Sequence, residues 1–180
     1  MASPEIMERR TSITSLSSPP LLNYDVFLSH RAKDTGRGFA AHLQEALESQ
    51  GIVVFRDEVE VDEEDGGKAL AEKMKAVEES RSSIVVLSEN YGNLVCMKEV
   101  EKIVMCMESM DQLVLPIFYK IDPANVRKQK GNFEKHFDEH EANPGIHIEQ
   151  VRSWRYSMSQ LGHLSGWHLQ HSQVRDHIDL

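Results

Sequence analysis

The chain has 180 residues, 40% of them hydrophobic and 27% charged, with 20 basic and 29 acidic side chains giving a formal net charge of −9. This length suits one domain with a tail, large enough to bury a core without disulfide or metal staples. A field of that sign repels phosphate backbones and anionic lipid, so direct nucleic-acid or membrane binding is not expected. Residues 1–22 are rich in Ser, Thr and Pro, lack sustained periodicity, and read as a disordered leader ending at Pro19-Pro20. Glu5, Glu8, Arg9 and Arg10 fall where the apolar core of a secretory signal would lie.

The folded part opens at Tyr24. Apolar runs at Tyr24–Leu28, Ile52–Phe55, Ser83–Leu87 and Gln112–Tyr119 read as strands, the last two continuously apolar, as strands covered on both faces are. Between and after them, helical spacing links Phe39, Leu43, Ala46 and Leu47, closed by Gly51. The same spacing links Leu70, Met74 and Val77, then Met97, Val100, Val104 and Met107, and finally Val151, Trp154, Met158 and Leu161. Ser165–Leu169 supplies a short fifth strand. Strand and helix alternating at this interval build right-handed crossovers, so the fold class is α/β, doubly wound and flavodoxin-like, with a parallel sheet covered on both faces. Ligands of such sheets bind beyond the carboxyl ends of the strands, here residues 29–37, 56–67, 88–99 and 120–131.

Several chemistries are disfavoured. No GxGxxG follows the first strand and no Walker lysine pattern is present. His136 to His140 formally matches the zinc-helix pattern H-x-x-E-H, but with nine histidines in the chain a solvated helix explains it, and no metal site is expected. His163, His168 and His171 read as surface positions. A phospho-receiver site needs acidic residues where this chain has Ser29, His30 and Ser88. Cys96 and Cys106, ten residues apart on one helix, would sit roughly 15 Å apart, too far for a disulfide. Free thiols without an export signal point to cytoplasm or nucleus. What remains at the carboxyl edge is a polar group of Arg31, Asp34, Asp57, Ser88, Tyr91 and Glu99.

The run YDVFLSHRAKDT from Tyr24 to Thr35 resembles the opening of plant Toll/interleukin-1 receptor (TIR) domains, as found in intracellular disease-resistance receptors. The likeness continues through GIVVFRD (Gly51–Asp57), AVEESRSSIVVLSENY (Ala76–Tyr91), LPIFY (Leu115–Tyr119), Asp122-Pro123, VRKQ (Val126–Gln129), Trp154-Arg155 and LSGWHL (Leu164–Leu169). It implies a TIR domain over residues 23–171 with five parallel strands in the order 2-1-3-4-5, and residues 172–180 as the start of a last helix or linker. It also implies self-association, and cleavage of NAD⁺ as substrate at the nicotinamide–ribose bond, with no cofactor. The family motif W-C-L-x-E-L becomes Val95-Cys-Met-Lys-Glu-Val100, which makes Glu99 the catalytic candidate. Arg31, Ala32, Asp34, Asp57, Ser88 and Val95 are the implied substrate contacts, and Ala41-His42 stands where the family has a Ser-His self-association pair.

Departures from the family pattern fall at the same places. Val95 replaces an aromatic platform, His30 and Ala32 replace phenylalanine and glycine, and Gly36 replaces arginine, with Arg37 next to it. Asp57–Asp65 carries seven acidic groups and no basic one, so removing those seven from −9 leaves −2 for the rest of the chain. Two functions follow from the resemblance. One is an immune-signalling TIR that hydrolyses NAD⁺ through Glu99. The other is a catalytically weak module that pairs with another TIR domain, one with a basic surface suiting the acidic loop.

Overall fold

A computed structural model describes residues 21–56 and 66–170. The leader up to residue 20, Asp57 with the acidic stretch to Asp65, and residues 171–180 lie outside the described residues. Four parallel strands, β1 (Tyr24–Ser29), β2 (Ser80–Leu87), β3 (Leu113–Tyr119) and β4 (Trp167–Leu169), pair in that spatial order. The expected second strand is reduced to a single parallel bridge, Val54 to Val26, on the outer edge of β1. Its position preserves the expected order, with the 52–55 segment, β1, β2, β3 and β4 side by side. The reason for its shortness is local. The Val53 amide, next in line for the ladder, donates instead to Asp25 Oδ2 at 2.8 Å, and Val53 itself is half exposed.

Strand β2 starts three residues earlier than its apolar run because its polar residues find partners: Ser80 Oγ donates to the Ala76 carbonyl and Ser82 Oγ to that of Asp25. Among the described residues six α-helices accompany the sheet: α1 (Phe39–Ser49), α2 (Gly66–Glu78), α3 (Leu94–Met110), α4 (Pro123–Lys128), α5 (Asn132–Ala142) and α6 (Ile148–His163). The four helices expected from periodicity correspond to α1, α2, α3 and α6. Helix α4 opens with Pro123 behind Asp122, whose carboxylate caps the Ala124 amide at 2.8 Å. Gly51 adopts φ +79° just after α1, the left-handed turn that glycine permits.

Two apolar layers flank the sheet. On one face Val26, Leu28, Ile84, Val86 and Ile117 pack with Phe39, Leu43 and Leu47 of α1. On the other, Phe27, Val85, Leu87 and Phe118 pack with α2, α3, α5 and α6, including Trp154 and Met158. The alternation along β1 and β2 is that of strands buried on both sides. Helix α3 is fastened to α6 by one carboxylate: Glu101 accepts from Gln150 Nε2 (2.8 and 2.9 Å), Ser153 Oγ and Trp154 Nε1 (3.2 Å).

The Glu101 junction sets the position of α3. Glu101→Ala removes the acceptor shared by three donors and should lower the unfolding free energy by about 2 kcal/mol. Urea denaturation followed by circular dichroism measures this; a loss under 0.5 kcal/mol would show that the junction contributes nothing.

Candidate functional site

The buried stripe of α3 runs Cys96, Glu99, Val100, Ile103 and Cys106, so a carboxylate occupies a position that helical geometry turns into the protein. Glu99 is 3% exposed. A buried carboxylate needs internal partners. Lys73 Nζ of α2 donates to Glu99 Oε1 at 3.1 Å, and Ser29 Oγ, at the end of β1, donates to Oε2 at 2.5 Å. Ser29 has one hydroxyl hydrogen, used on Glu99, so the Tyr91 hydroxyl 2.6 Å away donates to Ser29 Oγ. The chain therefore runs Tyr91 to Ser29 to Glu99, with Lys73 on the other oxygen.

Burial pushes the Tyr91 hydroxyl well above the usual tyrosine range, and the nearby Cys96 and Glu99 act in the same direction. The Cys96 thiol, one turn before Glu99, is likewise pushed up, chiefly by burial and then by the negative charge of Glu99. Both cysteines are buried and free, on α3 as expected.

A second polar group stands at the same edge of the sheet. After β1 the chain turns through a π-helical segment, Ala32–Gly36, whose Asp34 points across to the end of β2. Asp34 Oδ2 accepts from Ser88 Oγ at 2.6 Å and from the Asn90 amide at 3.1 Å, and Oδ1 lies 3.9 Å from Arg31 Nε. That separation is too long for a hydrogen bond, and Arg31 Nε, though buried, has none. The electrostatic neighbourhood of Cys96 includes Glu99, Arg31, Lys73 and Asp34, so the two polar groups act on a common interior.

The structure thus brings together Arg31, Asp34 and Ser88 in one group and seats Glu99 in the other. Ala32 is half-buried inside the π-helical turn, and Val95 is buried in the first turn of α3, whose start is capped by Asn93 Oδ1 on the Cys96 amide at 2.9 Å. Ala41 and His42 are exposed on α1. Asp57 lies outside the described residues.

Two site residues carry no role in the sequence pattern, and a third feature overturns an expectation. Ser29 was noted only as the residue that replaces a receiver acid. Lys73 sits between Leu70 and Val77 at i+3 and i−4, on the buried stripe of α2, a signal the apolar spacing alone passes over. The third is a correction: α5 is not a solvated helix on its histidine face. His140 is buried, its Nε2 donates to the Gly92 carbonyl at 2.7 Å, and its ring meets Trp154 edge-on at 5.2 Å. His136 lies so close to Gly92 that a Cβ there would come within 2.4 Å of its ring. The two imidazoles thus pack the loop after β2 against α5. His163 and His168 are exposed as expected, and His171 lies outside the described residues.

Among the described residues no three His, Cys, Asp or Glu side chains are grouped to hold a metal ion, and no helix is long and apolar enough to cross a membrane. A cleft of about 330 Å³ lies beyond β3 and β4, between Lys120, Asp122, Pro123 and His168. It shares no lining residue with either polar group.

The sequence pattern of the TIR domain family matches residues 23–178. The chain belongs to the TIR domain family. It is similar to the disease resistance protein RPV1 of Vitis rotundifolia, 42% identical over 171 residues that cover 94% of this chain and 12% of that protein. It is also similar to the TMV resistance protein N of Nicotiana glutinosa, 41% identical over 155 residues, 86% of this chain and 13% of that protein. The chain therefore spans about an eighth of the length of these curated relatives. Among solved structures, the TIR domains of the activated Roq1 resistosome, which directly recognises the pathogen effector XopQ, superpose with a TM-score of 0.71 at 39% identity. That match covers 81% of this chain and 87% of that one. The chain is thus a TIR domain similar to those of plant disease resistance proteins, and it shares the fold of the Roq1 TIR domains.

The raised Tyr91 has a pH consequence. Above about pH 10 the unfolded chain releases this proton while the folded domain holds it, so the contribution is present below that pH and lost as pH rises towards the folded value. Stability should fall more steeply between pH 10 and 11 in the wild type than in Tyr91→Phe. Equal slopes in thermal melts across that interval would show that Tyr91 is not held protonated.

Proposed function

We propose that this TIR domain hydrolyses NAD⁺ at the nicotinamide–ribose bond, with Glu99 as the catalytic carboxylate, and that it acts in plant immune signalling by assembling with other TIR domains. The observation that carries the enzymatic reading is a carboxylate fixed beneath the carboxyl edge of the sheet, where ligands of open α/β sheets bind, with Arg31 at the same edge. In the reaction the C1′–N bond breaks and its electron pair leaves with nicotinamide, which departs neutral. The ribosyl group passes through an oxocarbenium-like state, and water adds at C1′ with loss of a proton. Nicotinamide needs no strong general acid. What the protein must supply is negative potential beside C1′ and acceptors for the ribose hydroxyls, which a rigidly held carboxylate provides.

Arg31 suits the pyrophosphate, since a guanidinium pairs with phosphate oxygens through two parallel donors. Asp34, Ser88 and Asn90 hold the turn that carries Arg31. Val95 offers apolar contact where a stacking ring would give more, so base or nicotinamide recognition rests on fewer interactions. The acidic stretch from Asp57 to Asp65 opposes a pyrophosphate by charge and suits a basic partner surface.

Purified protein incubated with NAD⁺ at high concentration should release nicotinamide, and Glu99→Gln, which keeps the shape of the side chain, should lower the rate at least a hundredfold. Absence of release under crowding conditions from a folded protein would exclude the enzyme. Turnover unchanged in Glu99→Gln would remove Glu99 from the mechanism while leaving the activity.

The interaction-module reading also has a specific observation in its favour: both Glu99 oxygens already hold internal partners. Either way, assembly through the exposed Ala41-His42 turn of α1 is expected. The exposure of the pair supports that role, and Ala41 lacks the hydroxyl of the family pair. His42→Ala should shift the dimer population measured by light scattering towards monomer severalfold, with melting temperature unchanged. An unaltered dimer would place the contact elsewhere.

A further inference from the structure

We propose that Lys73 is a positioning residue that restrains Glu99: its ammonium holds Oε1 and offsets the negative field required beside C1′, so that turnover is slow while α2 keeps its place. This deepens the NAD⁺-hydrolase reading and rests on it. Three observations carry the restraint. The pair is direct and dry, with Nζ to Oε1 3.1 Å and side-chain exposures of 9% for Lys73 and 4% for Glu99. Lysine is almost never buried in this way without a charge to meet, so the contact is specific rather than incidental. Second, Ser29 donates to Oε2, so each Glu99 oxygen already carries an internal donor, and a ribose hydroxyl must share or exchange one of them. The Ser29 hydroxyl is neutral and its exchange costs little field. The ammonium carries a full positive charge, which opposes both the cationic nicotinamide ribosyl group and the oxocarbenium that follows it.

Third, the two members of the pair sit on different helices, and the one on α2 is placed where that helix is least embedded. Gly67, Lys68, Ala71 and Glu72 are exposed, Ala69 and Leu70 half-buried, and Lys73 is the first fully buried side chain along α2 for which burial is described. Ala76 and Val77, further on, carry its apolar anchoring. Drawing the amino-terminal half of α2 outward therefore withdraws the ammonium while the core contacts persist. Helix α3 stays fixed through Glu101 and α6, so Glu99 does not follow.

The test compares wild type, Lys73→Gln, Lys73→Arg and the double variant Lys73→Gln/Glu99→Gln, using a fluorogenic NAD⁺ analogue between pH 6 and 9. Lys73→Gln keeps a donor for Oε1 and removes the charge. Its kcat should rise about tenfold or more at pH 8. Lys73→Arg should stay within threefold of wild type, because the charge is kept, and the double variant should lose the gain. The gain should appear in kcat with KM within threefold of wild type, because the ammonium acts on the field at C1′ rather than on binding. A merely structural role would move neither that split nor the contrast between Gln and Arg. Lys73→Met serves as a second neutral side chain, with fold checked by circular dichroism. A Glu99-dependent wild-type rate that neither neutral variant exceeds at any pH overturns the restraint and leaves the hydrolase standing. No turnover in any of these proteins overturns both.

Discussion

A carboxylate in the inward stripe of a helix must find its compensating groups inside the protein, and at Glu99 that requirement organises the whole carboxyl edge of the sheet. The compensation comes from three separate parts of the chain: Lys73 from α2, Ser29 from the end of β1 and, through Ser29, Tyr91 from the loop after β2. The two groups that touch Glu99 directly, Ser29 and Lys73, lie 70 and 26 residues before it in sequence. Each is delivered by the parallel crossover topology, which puts the carboxyl ends of β1 and β2 side by side with the start of α3. The fold is thus what makes the burial of Glu99 tolerable, and the burial in turn ties α2, β1 and α3 to one point.

The same compensation has a functional side. A buried pair gains less than its Coulomb attraction suggests because both ions lose water, so such pairs are retained more readily for what they specify than for stability. Around Glu99 the specified property is the local field. On the proposed hydrolase reading, the Lys73 ammonium offsets the negative charge that Glu99 presents to the ribose. On the same reading Arg31 suits the pyrophosphate of a dinucleotide, and the acid-rich sequence from Asp57 to Asp65 opposes it by charge.

Much of this was legible in the sequence, for reasons that differ by element. β1, β2 and β3 and helices α1, α3 and α6 carry strong apolar periods, which depend only on which face is buried. The 52–55 segment carried the same β-rich signal yet forms one bridge, because a side chain, Asp25, took the amide that would have extended the ladder. Helix α5 shows a weaker stripe, and its histidines look like surface residues until the Gly92 carbonyl and Trp154 are brought to them by tertiary packing. Glu99 was visible from its motif. Lys73 was not, since a lysine on an apolar stripe reads as an interruption unless the acid across from it is known. Ser29, Ser88 and Asp34 were placed at the right edge, but their bonding depends on how the turn after β1 winds, which no spacing rule conveys.

On the proposed reading, Glu99 is the group against which the nicotinamide ribose is held, at the cost of its contact with Lys73. A crystal structure with a non-cleavable carbocyclic NAD⁺ analogue tests this directly. The ribose-equivalent hydroxyls should lie within hydrogen-bond distance of the Glu99 carboxylate, with the Lys73 ammonium displaced from Oε1. An analogue bound elsewhere, as in the cleft beside Lys120 and His168, with the Lys73–Glu99 pair still at 3.1 Å, would contradict it.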